Sequence, residues 1–140
     1  MSLHHASCVE FEGKGVVIFG PSGSGKSDLA LRLIDAGGEL VSDDYVEIAS
    51  EGDILYAHPA PNIAGMIEVR GVGLIKLAYK QESVLGLALK LVCAGKIERL
   101  PEHKIFSENS AEIPLYEFDA FSASAIAKIR LIIRTLQKSR

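Results

Sequence analysis

Short apolar runs separated by polar and glycine-containing turns dominate the chain, and this pattern is typical of β-strands joined by tight connections. Residues 12–14 predict a tight turn between the first two strands, and residues 51–53 predict the turn of a second hairpin. A further edge strand is expected at residues 113–115, because Pro114 cannot donate to a central ladder. Strands are predicted at residues 9–11, 16–19, 40–41, 45–48, 54–57 and 84–93.

Two segments have helical rather than strand periodicity. Residues 27–36 place Leu29, Ala30, Leu33 and Ile34 on one face, and Gly37–Gly38 follow as a helix terminator. A second helix is predicted from a cap at Ser122 or Ser124 to about residue 137. Its apolar stripe consists of Ile126, Ile129, Ile133 and Leu136.

The second helix also carries Lys128, Arg130 and Arg134 on its polar side. Two interpretations are open for this cationic face. It is either the solvated side of a helix that packs on the core, which is the usual case, or a surface that docks a protein substrate or a neighbouring subunit. The remaining segments, residues 66–77 and 96–110, give mixed and loop-rich patterns.

The predicted strand 16–19 leads into the most specific motif of the chain, the sequence GPSGSGKS at residues 20–27. It matches the phosphate-binding loop G-x-x-x-x-G-K-[ST] in its expected strand–loop–helix context. Glycines let backbone N–H groups surround phosphate oxygens, and the following helix adds its N-terminal partial charge. The expected nucleotide-binding residues are Gly20, Pro21, Ser22, Gly23, Ser24, Gly25, Lys26 and Ser27.

Within this loop, Lys26 is expected to reach the β- and γ-phosphates of ATP, and the Ser27 hydroxyl to coordinate Mg²⁺. The motif predicts an α/β fold: a P-loop nucleotide-binding domain with a mixed central sheet and flanking helices. Because the chain has 140 residues, of which 48% are hydrophobic, we expect residues 1–140 to form a single domain.

Composition and charge exclude several other classes of function. The net charge of −3 and the lack of a basic stripe argue against nucleic-acid binding. The sequence contains neither an apolar run of membrane-spanning length nor a secretory signal, so no membrane partner is expected. Cys8 and Cys93 lie far apart in apolar segments, which favours free thiols and a cytoplasmic location.

Three motifs together make the sequence resemble the bacterial HPr kinase/phosphorylase family over roughly residues 5–100. The phosphate loop is followed by one helix and by Asp43–Asp44 at the end of the strand LVSDD, which we expect to neighbour the strand that enters the loop. The segment IEVRGVGL at residues 67–74 is similar to the family's E-[IV]-R-G-x-G-[IL] signature. His5 precedes the loop where the family carries a histidine.

The resemblance implies an ATP-dependent kinase that phosphorylates a serine of an HPr-like carrier protein of the phosphotransferase system. It assigns Asp44 as the base that takes the serine proton, with Asp43 in support, and Glu68 as the second Mg²⁺ ligand beside Ser27. It further implies assisting roles for His5, Arg70 and Arg99, and a homo-oligomer, commonly a hexamer. Taken without the resemblance, Asp43–Asp44 is also compatible with a solvated turn, and Glu68 and Arg70 with surface charges.

The sequence departs from the family pattern in three places. Nothing corresponding to the separate N-terminal domain precedes the motifs, so the chain looks like a short form. Residues 114–121 lack the arginine of an element tied to dephosphorylation, and Lys76 stands where an Asp or Asn is commoner. We therefore expect kinase activity, with a weak, altered or absent reverse reaction.

Two alternatives from other classes stay open. The first is a P-loop kinase for a small metabolite, although the chain has no evident lid or arginine-rich clamp for one. The second is a non-catalytic module that senses nucleotide or phosphate and signals through a partner. The phosphate loop by itself does not distinguish ATP from GTP or pyrophosphate as the donor.

Overall fold

The computed structural model describes residues 1–138 and has mainly β-structure with two α-helices in that range. The helices are α1 (Lys26–Asp35) and α2 (Ala125–Lys138), and Ala94–Lys96 form a short 3-10 turn. The strands are β1 (Ser2–His4), β2 (Ala6–Phe11), β3 (Lys14–Phe19), β4 (Glu39–Ser42), β5 (Val46–Glu51), β6 (Ile54–Pro59), β7 (Met66–Val69), β8 (Gly73–Lys76), β9 (Ser83–Leu91), β10 (Lys104–Glu108) and β11 (Ala111–Phe118).

The central sheet is mixed, as the sequence predicted. Its strands follow the order β1-β5-β6-β9-β3-β2-β4, and β11 joins β9 on one side and β10 on the other. β9 runs parallel to both β3 and β11, whereas β2 is antiparallel to its two neighbours β3 and β4. Because β3 and β4 both oppose β2, they point the same way and end at the same edge of the sheet.

Both helices pack on one face of this sheet, so the predicted flanking helices share a side. Leu29 and Leu33 of α1 and Ile129 and Ile133 of α2 are at most 1% exposed. They form one cluster with alternate side chains of the central strands, such as Ile18. This packing confirms the apolar stripe predicted for α1 and, in α2, the predicted positions Ile126, Ile129 and Ile133.

The opposite face is covered by strands rather than by helices. Cys8, Val17 and Val41 of the central strands pack with Ile48 and Leu55 of the β5–β6 hairpin. The central strands are therefore buried on both faces. This double burial explains why their sequences read as continuous apolar runs instead of alternating ones.

Three predictions about the connections need correction. The segment 96–110 contains strand β10, which pairs with β11, so β11 is not an edge strand. Pro114 is tolerated there because the pairing with β9 begins only at Leu115. The segment 66–77, whose sequence pattern is mixed, forms the separate hairpin β7–β8. The strand that carries the Asp pair is β4, which pairs with β2 instead of the loop strand β3.

The first turn of the chain anchors α2 to the sheet. Glu12, which has a positive φ of 53°, accepts a hydrogen bond from Arg134 Nε at 2.9 Å and pairs with Arg130 Nε at 3.6 Å. The Arg130 guanidinium also lies 5.1 Å from the centroid of the Phe11 ring. Lys128 Nζ donates to Ser122 Oγ at 3.3 Å, so all three cationic residues make intramolecular contacts, which supports the structural interpretation of that face.

Neither helix within residues 1–138 combines the length and the hydropathy that crossing a membrane would require.

We expect Ile129→Ala to lower the free energy of unfolding by about 2–4 kcal/mol, because it removes a fully buried side chain between α2 and the sheet. Leu131→Ala, on the same helix but 66% exposed, is the matched control and should change stability by less than about 0.5 kcal/mol. Urea denaturation of both variants measures the difference. Equal losses would contradict the assignment of the buried face.

Candidate active site

The predicted phosphate loop joins the end of β3 to the start of α1. Two of its glycines, Gly23 and Gly25, have φ values of 80° and 98°, which side chains rarely adopt. A Cβ at Gly20 would lie 2.5 Å from Ser24 Oγ, so a larger residue there would have to displace the Ser24 side chain. The Ser24 N–H donates to the Pro21 carbonyl at 3.1 Å, which closes a turn inside the loop. Backbone groups and the N-terminus of a ten-residue helix therefore surround one concave site.

Lys26 is the first residue of α1, and its side chain crosses back over the loop. Its Nζ donates to the carbonyls of Gly20 at 2.7 Å and Pro21 at 3.0 Å, and the residue is only 6% exposed. Burial lowers the pKa of the Lys26 ammonium, and the nearby carboxylates of Asp44 and Asp43 oppose that shift. The geometry therefore brings the lysine of the phosphate-loop motif next to the predicted acidic pair.

Asp43 follows β4 and is the most connected side chain of the site. Its Oδ1 accepts hydrogen bonds from the hydroxyls of Ser7 and Ser27, each at 2.8 Å, and its Oδ2 accepts the Glu68 N–H at 3.4 Å. The residue is 4% exposed, so these donors compensate for the water that its charge has lost. The carboxylate therefore fixes the Ser27 hydroxyl, the predicted Mg²⁺ ligand.

Asp44 has a different environment, although it is the next residue. Its φ of 69° is unusual for a residue other than glycine, and the Tyr45 N–H reaches back to the Asp43 carbonyl at 2.8 Å. This tight turn directs the Asp44 side chain into solvent, where it is 62% exposed. His5 Nε2 lies 3.0 Å from Asp44 Oδ1, and the His5 ring stacks on Tyr45 with centroids 5.0 Å apart.

Glu68 and Arg70 come from the β7–β8 hairpin, which covers the open side of the loop. Both side chains are exposed and line the same cleft as Lys26, Ser27 and Asp44. The cleft has a volume of about 810 Å³. The hairpin is tied to the centre of the site through the bond from the Glu68 N–H to Asp43.

The cleft therefore unites residues that the sequence placed on four separate segments. Those that line it are His5, Ser22, Gly23, Gly25, Lys26, Ser27, Asp43, Asp44, Glu68 and Arg70. Arg99 is not among them, since it lies exposed in the connection between the 3-10 turn and β10. A role for Arg99 stays a prediction that this geometry does not support.

Three further residues belong to the site and were missed by the sequence interpretation. Ser7 is fully buried in β2, donates to Asp43 and accepts the Asp44 N–H at 3.3 Å. Tyr45 stacks on His5, and Phe121 lines the cleft beside the loop. A polar residue inside the apolar run of β2 was the only available signal for Ser7, while Tyr45 and Phe121 reach the site through tertiary contacts.

The residues present fit a nucleotide-bound Mg²⁺ better than a metal held by protein alone. Within residues 1–138, no three His, Cys, Asp or Glu side chains group to form a metal cage. Mg²⁺ usually keeps several waters and takes one or two protein oxygens together with substrate phosphates. The Ser27 hydroxyl, oriented by Asp43, and the Glu68 carboxylate supply oxygens of that kind on the same cleft.

Comparison with protein families identifies a match over most of the site. A family model described as the HPr Serine kinase C-terminal domain matches residues 1–93. The matched segment includes the phosphate loop, Asp43, Asp44, Glu68 and Arg70, whereas Arg99 and Phe121 lie beyond it.

Curated relatives and a solved structure agree with this match. HPr kinase/phosphorylases from Streptococcus pneumoniae strains Hungary19A-6 and ATCC BAA-255/R6 are each 36% identical over 141 residues, covering 94% of this chain. The chain spans only 42% of the length of these relatives. The solved Hpr(Ser) kinase/phosphatase from Coxiella burnetii has a TM-score of 0.86 at 24% identity and covers 99% of this chain and 98% of that chain. Its similarity confirms the fold.

We expect Ser7→Ala to lower the free energy of unfolding by about 1–3 kcal/mol, because it leaves the buried Asp43 carboxylate and the Asp44 N–H each short of one partner. Ser107→Ala, an exposed position in β10, is the control and should change stability by less than about 0.5 kcal/mol. Urea titrations measure both values. A Ser7→Ala protein as stable as the control would show that Asp43 does not depend on this hydroxyl.

Proposed function

We propose that this chain, which belongs to the family of the HPr serine kinase C-terminal domain, transfers a phosphoryl group from ATP to a serine of an HPr-like phosphocarrier protein. One observation carries the proposal. A phosphate loop and an exposed carboxylate, Asp44, line the same cleft, and buried Asp43 connects them. Phosphoryl transfer requires such a juxtaposition of donor site and acceptor base.

The loop side of the cleft provides the donor site. Lys26 can exchange its bonds to the Gly20 and Pro21 carbonyls for phosphate oxygens, which are stronger acceptors for an ammonium. Ser27 and Glu68 are proposed to hold Mg²⁺, which neutralises charge on the β- and γ-phosphates when it is bound. Asp43 keeps the Ser27 hydroxyl oriented toward that position.

The opposite side provides the acceptor site. Asp44 is proposed to accept the proton of the substrate serine hydroxyl while the serine oxygen attacks the γ-phosphorus of ATP and ADP leaves. His5 lies on Asp44 Oδ1, so Oδ2 is the oxygen left for the serine hydroxyl. The stacked His5–Tyr45 pair restrains the carboxylate, and Arg70 adds positive charge at the cleft.

Several features of the family are proposals for this chain, because it spans less than half the length of its curated relatives. They are a single catalytic domain over residues 1–140, a homo-oligomer such as a hexamer, a cytoplasmic location and an assisting role for Arg99. We also propose that the forward, kinase reaction predominates. The segment 114–121 offers no arginine for the reverse reaction, which the names of the relatives include.

The two alternatives differ from this proposal in what Asp44 does. A small-metabolite kinase would use the same donor site with a different acceptor. A nucleotide sensor would need the loop but not the base. The placement of Asp44 favours catalysis, because its exposed carboxylate lines the same cleft as Lys26 and Ser27 and His5 bonds only one of its oxygens.

We expect Asp44→Asn to reduce transfer of label from γ-labelled ATP to the HPr-like protein of the same organism by at least 100-fold, because the amide cannot accept the serine proton. Asparagine tolerates a positive φ and can still bond His5, so the fold and the binding of ATP should persist. The assay measures phosphoserine with Mg²⁺ present, and calorimetry measures the binding of ATP.

The outcomes of this assay separate the candidates. Label on a serine that is lost in Asp44→Asn supports the kinase proposal and the base together. ATP binding without any label in the unmodified chain would contradict an HPr kinase and leave the metabolite kinase or the sensor. Full transfer by Asp44→Asn would contradict the proposed base alone.

We expect Glu68→Gln to raise the Mg²⁺ concentration needed for half-maximal transfer by about tenfold, since a neutral amide is a weaker ligand than a carboxylate. Glu51→Gln, on the exposed turn of the β5–β6 hairpin, is the control and should leave the requirement unchanged. The readout is a titration of the transfer rate with Mg²⁺. An unchanged titration for Glu68→Gln would remove Glu68 from the proposed metal site.

A further inference from the structure

Phe121 is an unusual side chain for its position. Its ring is 71% exposed, although it lies between the buried residues Ala120 and Ala125, which are 2% and 0% exposed. Single exposed apolar residues are common on protein surfaces. Phe121 lines the cleft that also contains Lys26 and Ser27, as do the exposed residues Tyr45 and Leu74, but the atoms nearest to a Cβ at Gly25 of the loop belong to Phe121 and Ala120.

The ring lies directly against the phosphate loop. A Cβ placed on Gly25 would come within 2.9 Å of Phe121 Cζ and 3.3 Å of Cε1. Gly25 immediately precedes Lys26, so the aromatic ring adjoins the junction of loop and helix. The site thus combines the polar groups of the loop, which can bind phosphates, with the flat apolar ring of Phe121 next to them.

The backbone that carries Phe121 is held in place. Its N–H donates to Asp119 Oδ1 at 3.0 Å, and Ser122 N–H donates to the Asp119 carbonyl at 3.3 Å. Arg32 of α1 donates to the Ala120 carbonyl and is also paired with Asp28 at 3.0 Å. The ring is therefore presented to the cleft by a fixed segment that is tied to α1.

We propose that Phe121 is the stacking platform for the base of the bound nucleotide, an inference that rests on the proposed function. A nucleotide whose phosphates occupy the loop needs an apolar surface for its base beside the loop, and an exposed aromatic face supplies one. The acceptor group of His5, Asp44 and Tyr45 forms its own cluster through a ring contact and a hydrogen bond. Phe121 is therefore assigned to the donor and not to the protein substrate.

Stacking on a phenyl ring accepts any base, since every base has a π-face. Phe121 should consequently contribute equally to the binding of ATP and of GTP, and not at all to the binding of inorganic tripolyphosphate. This difference separates a base contact from support of the phosphate loop.

The test is calorimetric titration of the full chain with ATP, GTP and tripolyphosphate in the presence of Mg²⁺. We expect Phe121→Ala to weaken the binding of ATP and of GTP by roughly tenfold and to change the binding of tripolyphosphate by less than about twofold. Phe121→Tyr should bind all three like the unmodified chain. Leu131→Ala is the control for loss of an exposed apolar side chain away from the cleft.

Two results would overturn the inference. If Phe121→Ala weakens the binding of ATP and the binding of tripolyphosphate equally, the ring supports the loop and does not contact the base. Unchanged ATP binding, with or without a loss of affinity for the HPr-like protein, would mean that the base lies elsewhere. If the unmodified chain binds neither ATP nor tripolyphosphate, the proposed function itself fails, and the inference fails with it.

Discussion

The arrangement of the site depends on the hydrogen bonds that the buried carboxylate of Asp43 accepts. The carboxylate accepts them from Ser7 of β2, from Ser27 of α1 and from the backbone of Glu68 in β7. Three segments far apart in sequence thereby meet at the end of β4. Removing water from a carboxylate is costly unless each lone pair finds a donor, so the fold can close around Asp43 only when all three segments are in register.

The antiparallel strand β2 explains how those segments reach one edge of the sheet. β3 delivers the phosphate loop and β4 delivers Asp43 at their carboxyl ends, because both strands oppose β2. β2 in turn begins at that edge, with Ala6 opposite Phe19 and Ser7 opposite Ile18. The start of β2 therefore brings Ser7, and His5 just before it, beside groups that the other strands supply from their ends. A purely parallel arrangement would have carried the start of the strand to the opposite edge.

Local patterns were sufficient to predict the parts of the fold that are determined locally. The hairpin turn at Glu12–Gly13, the helix after the loop and the apolar stripe of α2 agree with the structure because turn chemistry and periodicity act over a few residues. Strand β10 was not predicted, since its polar sequence forms a strand only by pairing with β11. Phe121 and Ser7 are similar cases: nothing in their immediate sequence indicates that a ring will pack on Gly25 or that a hydroxyl will bond Asp43. Contacts of this kind depend on how distant segments pack.

The two adjacent acids show how a single turn separates two chemical environments. Asp43 is almost completely buried and its carboxylate accepts three hydrogen bonds from within the fold, so it is poorly accessible to a substrate proton. One residue later, the positive φ of Asp44 reverses the chain and turns the next carboxylate into the cleft, where His5 bonds only one of its oxygens. A regular strand would also alternate the two side chains, but it would continue past the site and hold Asp44 against the neighbouring strand. The strained turn instead ends the strand and leaves Asp44 accessible, and the bond from the Asp44 N–H to Ser7 ties this turn to the same hydroxyl that supports Asp43. The Ser7 hydroxyl therefore restrains both acids, which is consistent with the proposed role of Asp44 as a general base beside the donor site.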